Sequence, residues 1–183
     1  MKKCFLTFVM LGMVFLTGCV QEDDTSIPKL QTPILLENFQ NITTGTGSNE
    51  PAVTIPGWIN HNQLGSRRWF GRSSTINSTT VRFAEFNSFF SNASTDPFDE
   101  VWLITPVMDF SSTSNEVLRL KTRTRFWAGE CLTVLMSEDF DGTIEGISSA
   151  TWTTLPVTLP DTSMDLGDPF IESITDINSS SST

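Results

Sequence analysis

The segment 118–126 alternates strictly between two kinds of side chain. One set of positions is mostly apolar and consists of Leu118, Leu120, Thr122, Thr124 and Phe126. The other set is entirely basic and consists of Arg119, Lys121, Arg123 and Arg125. Successive side chains of a β-strand point to opposite faces, so the segment predicts a strand with one apolar face and one basic face.

The chain after residue 18 shows the same preference for short strands. Convincing helical periodicity is absent there, and clusters of Gly, Pro, Asn, Asp and Ser separate short apolar or alternating runs. The runs are 32–39, 53–60, 69–72, 81–86, 101–107, 118–126, 132–137, 152–159 and 170–177. This pattern is typical of a β-sandwich or barrel. We therefore predict an all-β fold with Trp58, Trp102 and Trp152 in its core.

The N-terminus has the features of a secretory signal peptide over residues 1–18. Lys2 and Lys3 precede an apolar run at 5–15, which leads into Leu16-Thr17-Gly18-Cys19. The run is shorter than the roughly 20 apolar residues that span a bilayer. The last four residues resemble a bacterial lipobox, which implies cleavage after residue 18 and lipidation of Cys19. The alternative is an ordinary signal peptide that contains a cysteine.

Residues 19–32 predict a lipidated acidic tether in front of the domain. Val20 stands where an aspartate retains lipoproteins in the inner membrane, and Gln21-Glu22-Asp23-Asp24 follows. This cluster resembles the surface-export signal of Bacteroidetes lipoproteins, and the resemblance implies an outer-membrane protein displayed on the cell surface. The alternative is a solvated acidic linker that carries no address.

The acidic charge and the cysteine count exclude several kinds of partner. The chain has 11 Lys and Arg against 21 Asp and Glu, a formal net charge of −10. Such a charge argues against nucleic acid and against electrostatic binding to anionic lipid. Cys4 leaves with the signal peptide and Cys19 is acylated, so Cys131 has no partner for an intrachain disulfide or a zinc site.

Five short segments occur in an order that is typical of one protein family. They are Leu36-Glu37-Asn38-Phe39, Pro56-Gly57-Trp58-Ile59-Asn60, Trp69, Trp102-Leu103-Ile104-Thr105-Pro106 with Asp109, and Ser137-Glu138-Asp139-Phe140-Asp141-Gly142 with Thr151-Trp152-Thr153-Thr154-Leu155. Together they resemble the choice-of-anchor J and cleaved-adhesin domains, which are similar to MAM domains. The resemblance covers residues 33–178 and implies a β-sandwich of galactose-binding-like jelly-roll type.

The resemblance also implies a setting and shows one departure. Members of this family belong to secreted or surface proteins of Bacteroidetes, often beside polysaccharide-utilisation genes. They continue with two further strands, whereas this sequence ends in the Ser-rich tail 179–183. Either the reading frame is truncated or the domain is abbreviated, and missing strands would leave one sheet with an open edge.

The basic face of segment 118–126 is the first candidate binding site. Four like charges in line repel one another, so they need acidic partners on neighbouring strands or an anionic ligand. In so acidic a chain, ion pairing across strands explains the row without a ligand. The alternative is a surface that holds an acidic glycan through charge-assisted hydrogen bonds, with Trp127 and Trp69 as stacking surfaces for sugar rings.

Calcium is the one cofactor that the sequence suggests. Asp139-Phe140-Asp141-Gly142 does not continue as an EF-hand loop, because its twelfth position is Ala150 and not Glu. An Asp-Gly pair between two strands favours a hairpin turn over a metal site. Jelly rolls of the resembled type often hold a structural calcium, and that resemblance implies Glu37 as the ligand from the first strand, with others supplied by Asp96, Asp99 or Glu100.

These features predict a non-catalytic binding protein. His61, the single histidine, lies in a predicted polar loop, and no motif pairs carboxylates for glycoside hydrolysis. The leading hypothesis is a glycan-binding or accessory protein of a polysaccharide-uptake system, held to the membrane by its lipid anchor. The second hypothesis is an adhesion or structural module that contacts another surface protein, and the third is a hydrolase.

Overall fold

The computed structural model describes residues 32–89, 98–126, 129–161 and 170–178. The chain divides into two compact units, Met1–Leu35 and Leu36–Thr183. Residues 32–35 are the described part of the first unit, and all four are exposed. The predicted signal peptide, Cys19 and most of the predicted tether lie outside the described residues. All the strands below belong to the second unit.

The second unit is all-β, as the sequence predicts. Its strands are β1 (Ile59–Leu64), β2 (Phe70–Ile76), β3 (Thr79–Glu85), β4 (Glu100–Ile104), β5 (Val117–Thr122), β6 (Leu135–Met136), β7 (Thr153–Thr154) and β8 (Ile171–Asp176). A 3-10 segment, Glu145–Ser148, lies between β6 and β7.

The strands form four antiparallel pairs. β2 pairs with β3 and β6 with β7, whereas β1 pairs with β4 and β5 with β8 across longer stretches of chain. Within the described residues each pair is a separate two-stranded sheet. Two-stranded sheets are marginal in water by themselves, so these pairs depend on the loops and side chains packed between them.

The β2–β3 hairpin turns through two residues with left-handed backbone. Asn77 and Ser78 have φ angles of 47° and 63°. Two successive residues with positive φ are the mark of a type I′ turn, whose twist matches that of the flanking strands. The hairpin therefore extends the predicted strands 69–72 and 81–86 toward each other, with Phe70 paired to Glu85 at its base.

The β5–β8 sheet has one covered face and one exposed face. Its covered face carries the pairs Leu118–Thr175 and Leu120–Ser173. Its exposed face carries the pairs Arg119–Ile174 and Lys121–Glu172, of which Ile174 is 55% exposed. The predicted alternation is therefore present, but the strand ends at Thr122, short of the predicted end at residue 126.

The core is small and includes the start of β2. The buried apolar side chains are Ile42, Val53, Phe70, Ile147 and Leu155. The tryptophans that the sequence places in the core are only half-buried: Trp58, Trp102 and Trp152. Trp102 and Trp152 pack against each other with ring centroids 4.9 Å apart. Trp102 keeps its Nε1 at the surface, where it donates to Glu100 Oε1 at 2.9 Å.

Two sequence predictions at the N-terminal end of the domain are wrong. Residues 32–39 form no strand, because the chain turns back on itself: the Phe39 N–H donates to the Glu37 carboxylate, and Phe39 has a φ of 58°. The polar stretch predicted as a loop is strand β1, in which His61 pairs with Trp102 of β4. Pairing with a half-buried apolar strand outweighs the low strand propensity of asparagine.

The later strands are also shorter than predicted. β4 ends at Ile104, ahead of Pro106, which has no N–H to give to a ladder. The predicted strands 132–137 and 152–159 reduce to the two-residue strands β6 and β7. The Asp139 carboxylate accepts a hydrogen bond from Thr151 N–H at 2.7 Å. This N–H is therefore not available to extend the β6–β7 ladder ahead of β7.

The loop 43–53 is fastened to the start of β2 through Gly71. Gly71 N–H donates to Pro51 O at 2.9 Å, and Gly71 O accepts from Gly45 N–H at 3.0 Å. A Cβ at position 71 would collide with the backbone carbonyl of Thr43, so the close approach requires glycine. This fastening places Glu50 over β2.

The side chain of Asn60 joins β1 to the segments on either side of it. Its Nδ2 donates to Val53 O at 3.0 Å and to Trp69 O at 2.7 Å, and its Oδ1 accepts from Trp69 N–H at 3.1 Å. The backbone N–H and O of Trp69 therefore form with a side chain the hydrogen bonds that a neighbouring strand would otherwise provide.

Candidate functional site

The predicted row of four basic residues is divided by the end of β5. Arg119 and Lys121 lie on the exposed face of the β5–β8 sheet, whereas Arg123 and Arg125 follow the strand. Strand geometry alone keeps alternate residues on one face, so the row loses its common face where the ladder stops. We call residues 121–126, from Lys121 to Phe126, the β5 end.

Arg119 has the acidic partner that the ion-pairing alternative expects. Its Nη1 lies 2.8 Å from Glu172 Oε1 on β8, with the two side chains 63% and 36% exposed. An ion pair this open to water contributes about 0–1 kcal/mol. Arg119 is therefore neutralised locally and is the weakest ligand candidate of the row.

The other three basic residues contact no carboxylate within the described part of the chain. Arg123 is half-buried, with its guanidinium 4.9 Å from the ring centre of Phe170 and 5.9 Å from that of Phe83. Lys121 is exposed and forms no hydrogen bond or ion pair with a described residue. Ion pairing therefore accounts for Arg119 but leaves Lys121, Arg123 and Arg125 without acidic partners.

Arg125 and Phe126 form an exposed cation–aromatic pair. The Arg125 guanidinium lies 5.6 Å from the centre of the Phe126 ring, and Phe126 is 79% exposed. A flat ring beside a positive group is a surface on which a sugar ring can stack while its acidic substituent is bound. Trp127, the predicted stacking residue, lies outside the described residues.

Trp69 is part of the packing and is not a stacking platform. It is half-buried, and its ring lies 6.0 Å from that of Phe86. Its Nε1 is shielded from solvent and has no hydrogen-bond partner in the structure. Because both its ring and its backbone are occupied, Trp69 offers little surface to a ligand.

A largely buried cluster of charged residues, which no sequence pattern predicted, surrounds Phe70. Glu50 Oε2 lies 2.6 Å from Arg67 Nη1, and Glu50 Oε1 lies 3.2 Å from Arg72 Nη2. Both guanidinium groups stack over Phe70, at 5.6 and 4.8 Å from its ring centre. Arg72 also lies 3.6 Å from Glu85. We call these five residues the Phe70 cluster.

Three charged side chains of the Phe70 cluster are largely withdrawn from water, whereas Glu85 is 32% exposed. The exposed fractions are 10% for Glu50, 11% for Arg67 and 13% for Arg72. The spacing of the two arginines around Phe70 was visible in the sequence, but their acidic partner comes from a distant loop. The pairing is therefore a tertiary contact without a local signal.

The predicted calcium ligands do not assemble within the described residues. Glu37 accepts the N–H of Phe39, Glu100 accepts the indole N–H of Trp102, and Asp99 accepts Arg67 N–H at 3.4 Å. Among described residues no group of three or more His, Cys, Asp or Glu could hold a metal ion. Asp96 lies outside those residues, so the calcium prediction stays a prediction.

The loop with Asp139 and Asp141 uses its carboxylates to fasten the chain. Asp139 accepts from Ser137 Oγ at 2.8 Å and from Thr151 N–H, and these bonds hold its pKa below the ordinary value of 3.8. Asp141 accepts from both Thr143 N–H and Thr143 Oγ1 at 2.8 Å, which lowers its pKa in the same way. Both carboxylates are occupied by the connection between β6 and β7, which is longer than the predicted Asp-Gly hairpin turn.

One concave site opens beside the Phe70 cluster. It has a volume of about 180 Å³ and is lined by Glu50, Ala52, Ser66, Arg67, Arg68 and Phe70.

Elsewhere in the described residues Cys131 is exposed, and His61 is half-buried in β1. Helices long and apolar enough to cross a membrane are absent from the described ranges.

Comparison with known proteins found no family model, no curated protein and no solved structure that matches this chain. The similarity to choice-of-anchor J domains therefore rests on the five sequence segments.

Proposed function

We propose that this chain is a surface lipoprotein that binds anionic polysaccharide without catalysis. One observation carries the proposal: the exposed Arg125–Phe126 pair lies in a basic segment that includes Lys121. Neither Arg125 nor Lys121 forms an ion pair with a described carboxylate. Arg125 lies beside an exposed ring, and Lys121 forms no ion pair with a described residue although Glu172 is its neighbour across the strands, so both cations remain open to an anionic ligand in a chain of net charge −10. The β5 end would hold acidic groups through charge-assisted hydrogen bonds.

Affinity electrophoresis in gels containing an acidic polysaccharide tests this proposal. Lys121→Ala and Arg125→Ala should each reduce retention by about fivefold, equivalent to roughly 1 kcal/mol per exposed charged contact. Arg119→Ala is the matched control, because it removes the same charge from a residue already paired with Glu172. A neutral glucan should retain all variants equally. Equal losses in the three variants would reduce the effect to net charge and contradict the proposal.

The lipid anchor and the cell-surface location are further parts of the proposal. The Leu16-Thr17-Gly18-Cys19 segment supports the anchor, and Gln21-Glu22-Asp23-Asp24 supports export to the outer face of the outer membrane. Cys19→Ala should abolish incorporation of a fatty-acid probe. Replacement of the three acidic residues by alanine should preserve the lipid but remove the protein from protease attack on whole cells. Labelled Cys19→Ala protein would contradict the anchor.

The five sequence segments support a jelly-roll arrangement of the strands and a role in polysaccharide uptake. On this proposal the four strand pairs belong to two facing sheets of one sandwich. The protein would deliver or retain glycan for other components and release no sugars itself. Turnover of a polysaccharide by the purified chain would contradict the non-catalytic part.

A protein-interaction module is the second candidate, and one surface favours it. Val117 and Ile174 are 60% and 55% exposed on the outer face of the β5–β8 sheet, where register places them diagonally across the two strands. Such apolar side chains on an open sheet face can contact another protein. Val117→Ser with Ile174→Ser should then weaken cell-to-cell adhesion while leaving polysaccharide retention unchanged.

A further inference from the structure

The cavity beside the Phe70 cluster is separate from the β5 end. Its lining comes from the loop 43–53, from the segment that joins β1 to β2 and from Phe70, the first residue of β2. At about 180 Å³ it is smaller than the roughly 300–1,000 Å³ of sites for drug-sized ligands. A site of this size suits one small polar unit.

The floor of the cavity is polar but already satisfied. Glu50 bonds Arg67 and Arg72 with its two oxygens. The remaining Arg67 nitrogens donate to Asn87, Nε to the backbone O at 3.0 Å and Nη2 to Oδ1 at 3.2 Å. Two guanidinium groups offset the charge of Glu50, so the floor does not repel an anion as an unpaired carboxylate would. The stack on Phe70 holds this floor in place.

The rim of the cavity carries a positioned but unoccupied guanidinium. Arg68 is exposed, and its Nε donates to Asn62 Oδ1 at 3.2 Å. Asn62 is held in turn by its Nδ2, which donates to Gly65 O at 2.9 Å. This anchoring orients the guanidinium, while its terminal nitrogens bond no described residue. Two parallel N–H groups in a fixed fork match the two oxygens of a carboxylate.

We propose that this cavity binds the carboxylate of a single sugar-acid unit, with Arg68 as the bidentate ligand. Ser66 and Ala52 line the same cavity, so a serine hydroxyl would be available to bond a ring hydroxyl and an alanine methyl would provide an apolar wall. The inference rests on the proposed function for its ligand class, anionic glycan, but the site and its residues are different. It adds selectivity: the β5 end attracts any polyanion, whereas the cavity recognises a terminal hexuronate.

Titration calorimetry of the full chain with monomeric glucuronate, galacturonate and glucose tests the site. We expect a Kd of about 1 mM for at least one uronate. Glucose should bind at least about tenfold more weakly. Arg68→Ala should lower uronate affinity by about tenfold. Arg68→Lys should recover little of it, because an ammonium cannot form the fork. Arg125→Ala should leave monomer binding unchanged.

A second variant guards against a fold defect and against a purely electrostatic effect. Ala52→Leu fills the cavity from its exposed edge without changing charge, and it should abolish uronate binding while thermal unfolding stays cooperative. Uronate affinity that Arg68→Ala leaves unchanged, or uronate binding that survives Ala52→Leu, overturns the proposal, as does equal affinity for glucose or no monomer binding at all. Loss of monomer binding with retained polysaccharide retention in Arg68→Ala would support this site and leave the proposed function intact.

Discussion

The Phe70 cluster and the β5 end are both rich in arginine, yet they satisfy their charges to different degrees. In the Phe70 cluster, each guanidinium group has a carboxylate partner, an aromatic ring beneath it and side chains that exclude water. At the β5 end the two arginines have aromatic neighbours but no ion-paired carboxylates among the described residues. Position in the fold, and not residue type, therefore separates arginines that stabilise this protein from arginines available to a ligand.

Removing the shared carboxylate should show the largest difference between the two regions. Glu50→Gln keeps the side-chain shape but leaves Arg67 and Arg72 facing each other over Phe70 with less counter-charge. Breaking a largely buried ion pair from one side costs about 3 kcal/mol of unfolding free energy. Urea denaturation measures this loss. Glu172→Gln is the matched control and should cost less than about 1 kcal/mol, since its partner Arg119 is exposed. Equal losses would remove the distinction.

Displacing the loop that carries Glu50 should have the next largest effect. Gly71→Ala introduces a methyl group against the Thr43 carbonyl, so the loop 43–53 must move away from β2. Overpacking of this kind costs roughly 1–3 kcal/mol. Thermal unfolding should show the loss, with Ser73→Ala as a control at an exposed position on the same strand. A Gly71→Ala protein as stable as the control would mean that the loop is not held at this point.

The exposed ion pair on the β5–β8 sheet should contribute much less. A double-mutant cycle of Arg119→Ala and Glu172→Ala should give a coupling free energy of about 0.5 kcal/mol that declines with added salt. The same cycle on Arg67 and Glu50 should give a larger value that salt changes little. A salt-insensitive Arg119–Glu172 coupling would place that pair in the same category as the Phe70 cluster.

Exposed carboxylates should give the smallest effect, and this effect should disappear in acid. The pKa of Asp139 is lowered by its bonds to Ser137 and Thr151, so the carboxylate is bonded more strongly in the folded state than in the unfolded state. This stabilisation is complete above the ordinary pKa of 3.8 and disappears as the pH falls through the lower folded pKa. Thermal melts should show that Asp139→Asn is slightly less stable than the parent at neutral pH. The two should converge in strong acid, and a constant difference at all pH values would contradict this assignment.

Local patterns predicted what depends on neighbouring residues. The alternation of Leu118 to Thr122 fixed both faces of β5, and the run at 170–177 located β8 within a residue at each end. Absence of helical periodicity predicted the all-β fold. These features are properties of short segments, so no knowledge of the tertiary fold was needed.

Features set by distant contacts were not predictable in the same way. Strand β1 is polar in sequence and becomes a strand only because β4 pairs with it. Trp102 was expected in the core, but its indole N–H bonds Glu100 at the surface and keeps the ring half-buried. The partnership of Glu50 with Arg67 and Arg72 depends on how a loop crosses β2, which residue spacing does not encode. The cavity with Arg68 follows from the same crossing.

The hydrogen bonds of Asn60 depend on a side-chain amide that can be hydrolysed. Asparagine amides are among the thermolabile groups of proteins, and their hydrolysis exchanges an NH₂ donor for a carboxylate oxygen. At Asn60 the new oxygen would face the carbonyl oxygens of Val53 and Trp69, which the amide nitrogen now bonds at 3.0 and 2.7 Å. Two hydrogen bonds would become two repulsive contacts through the change of one atom. Ageing at this single amide would therefore unfasten β1 from the segments that flank it, before any other bond of the fold had changed.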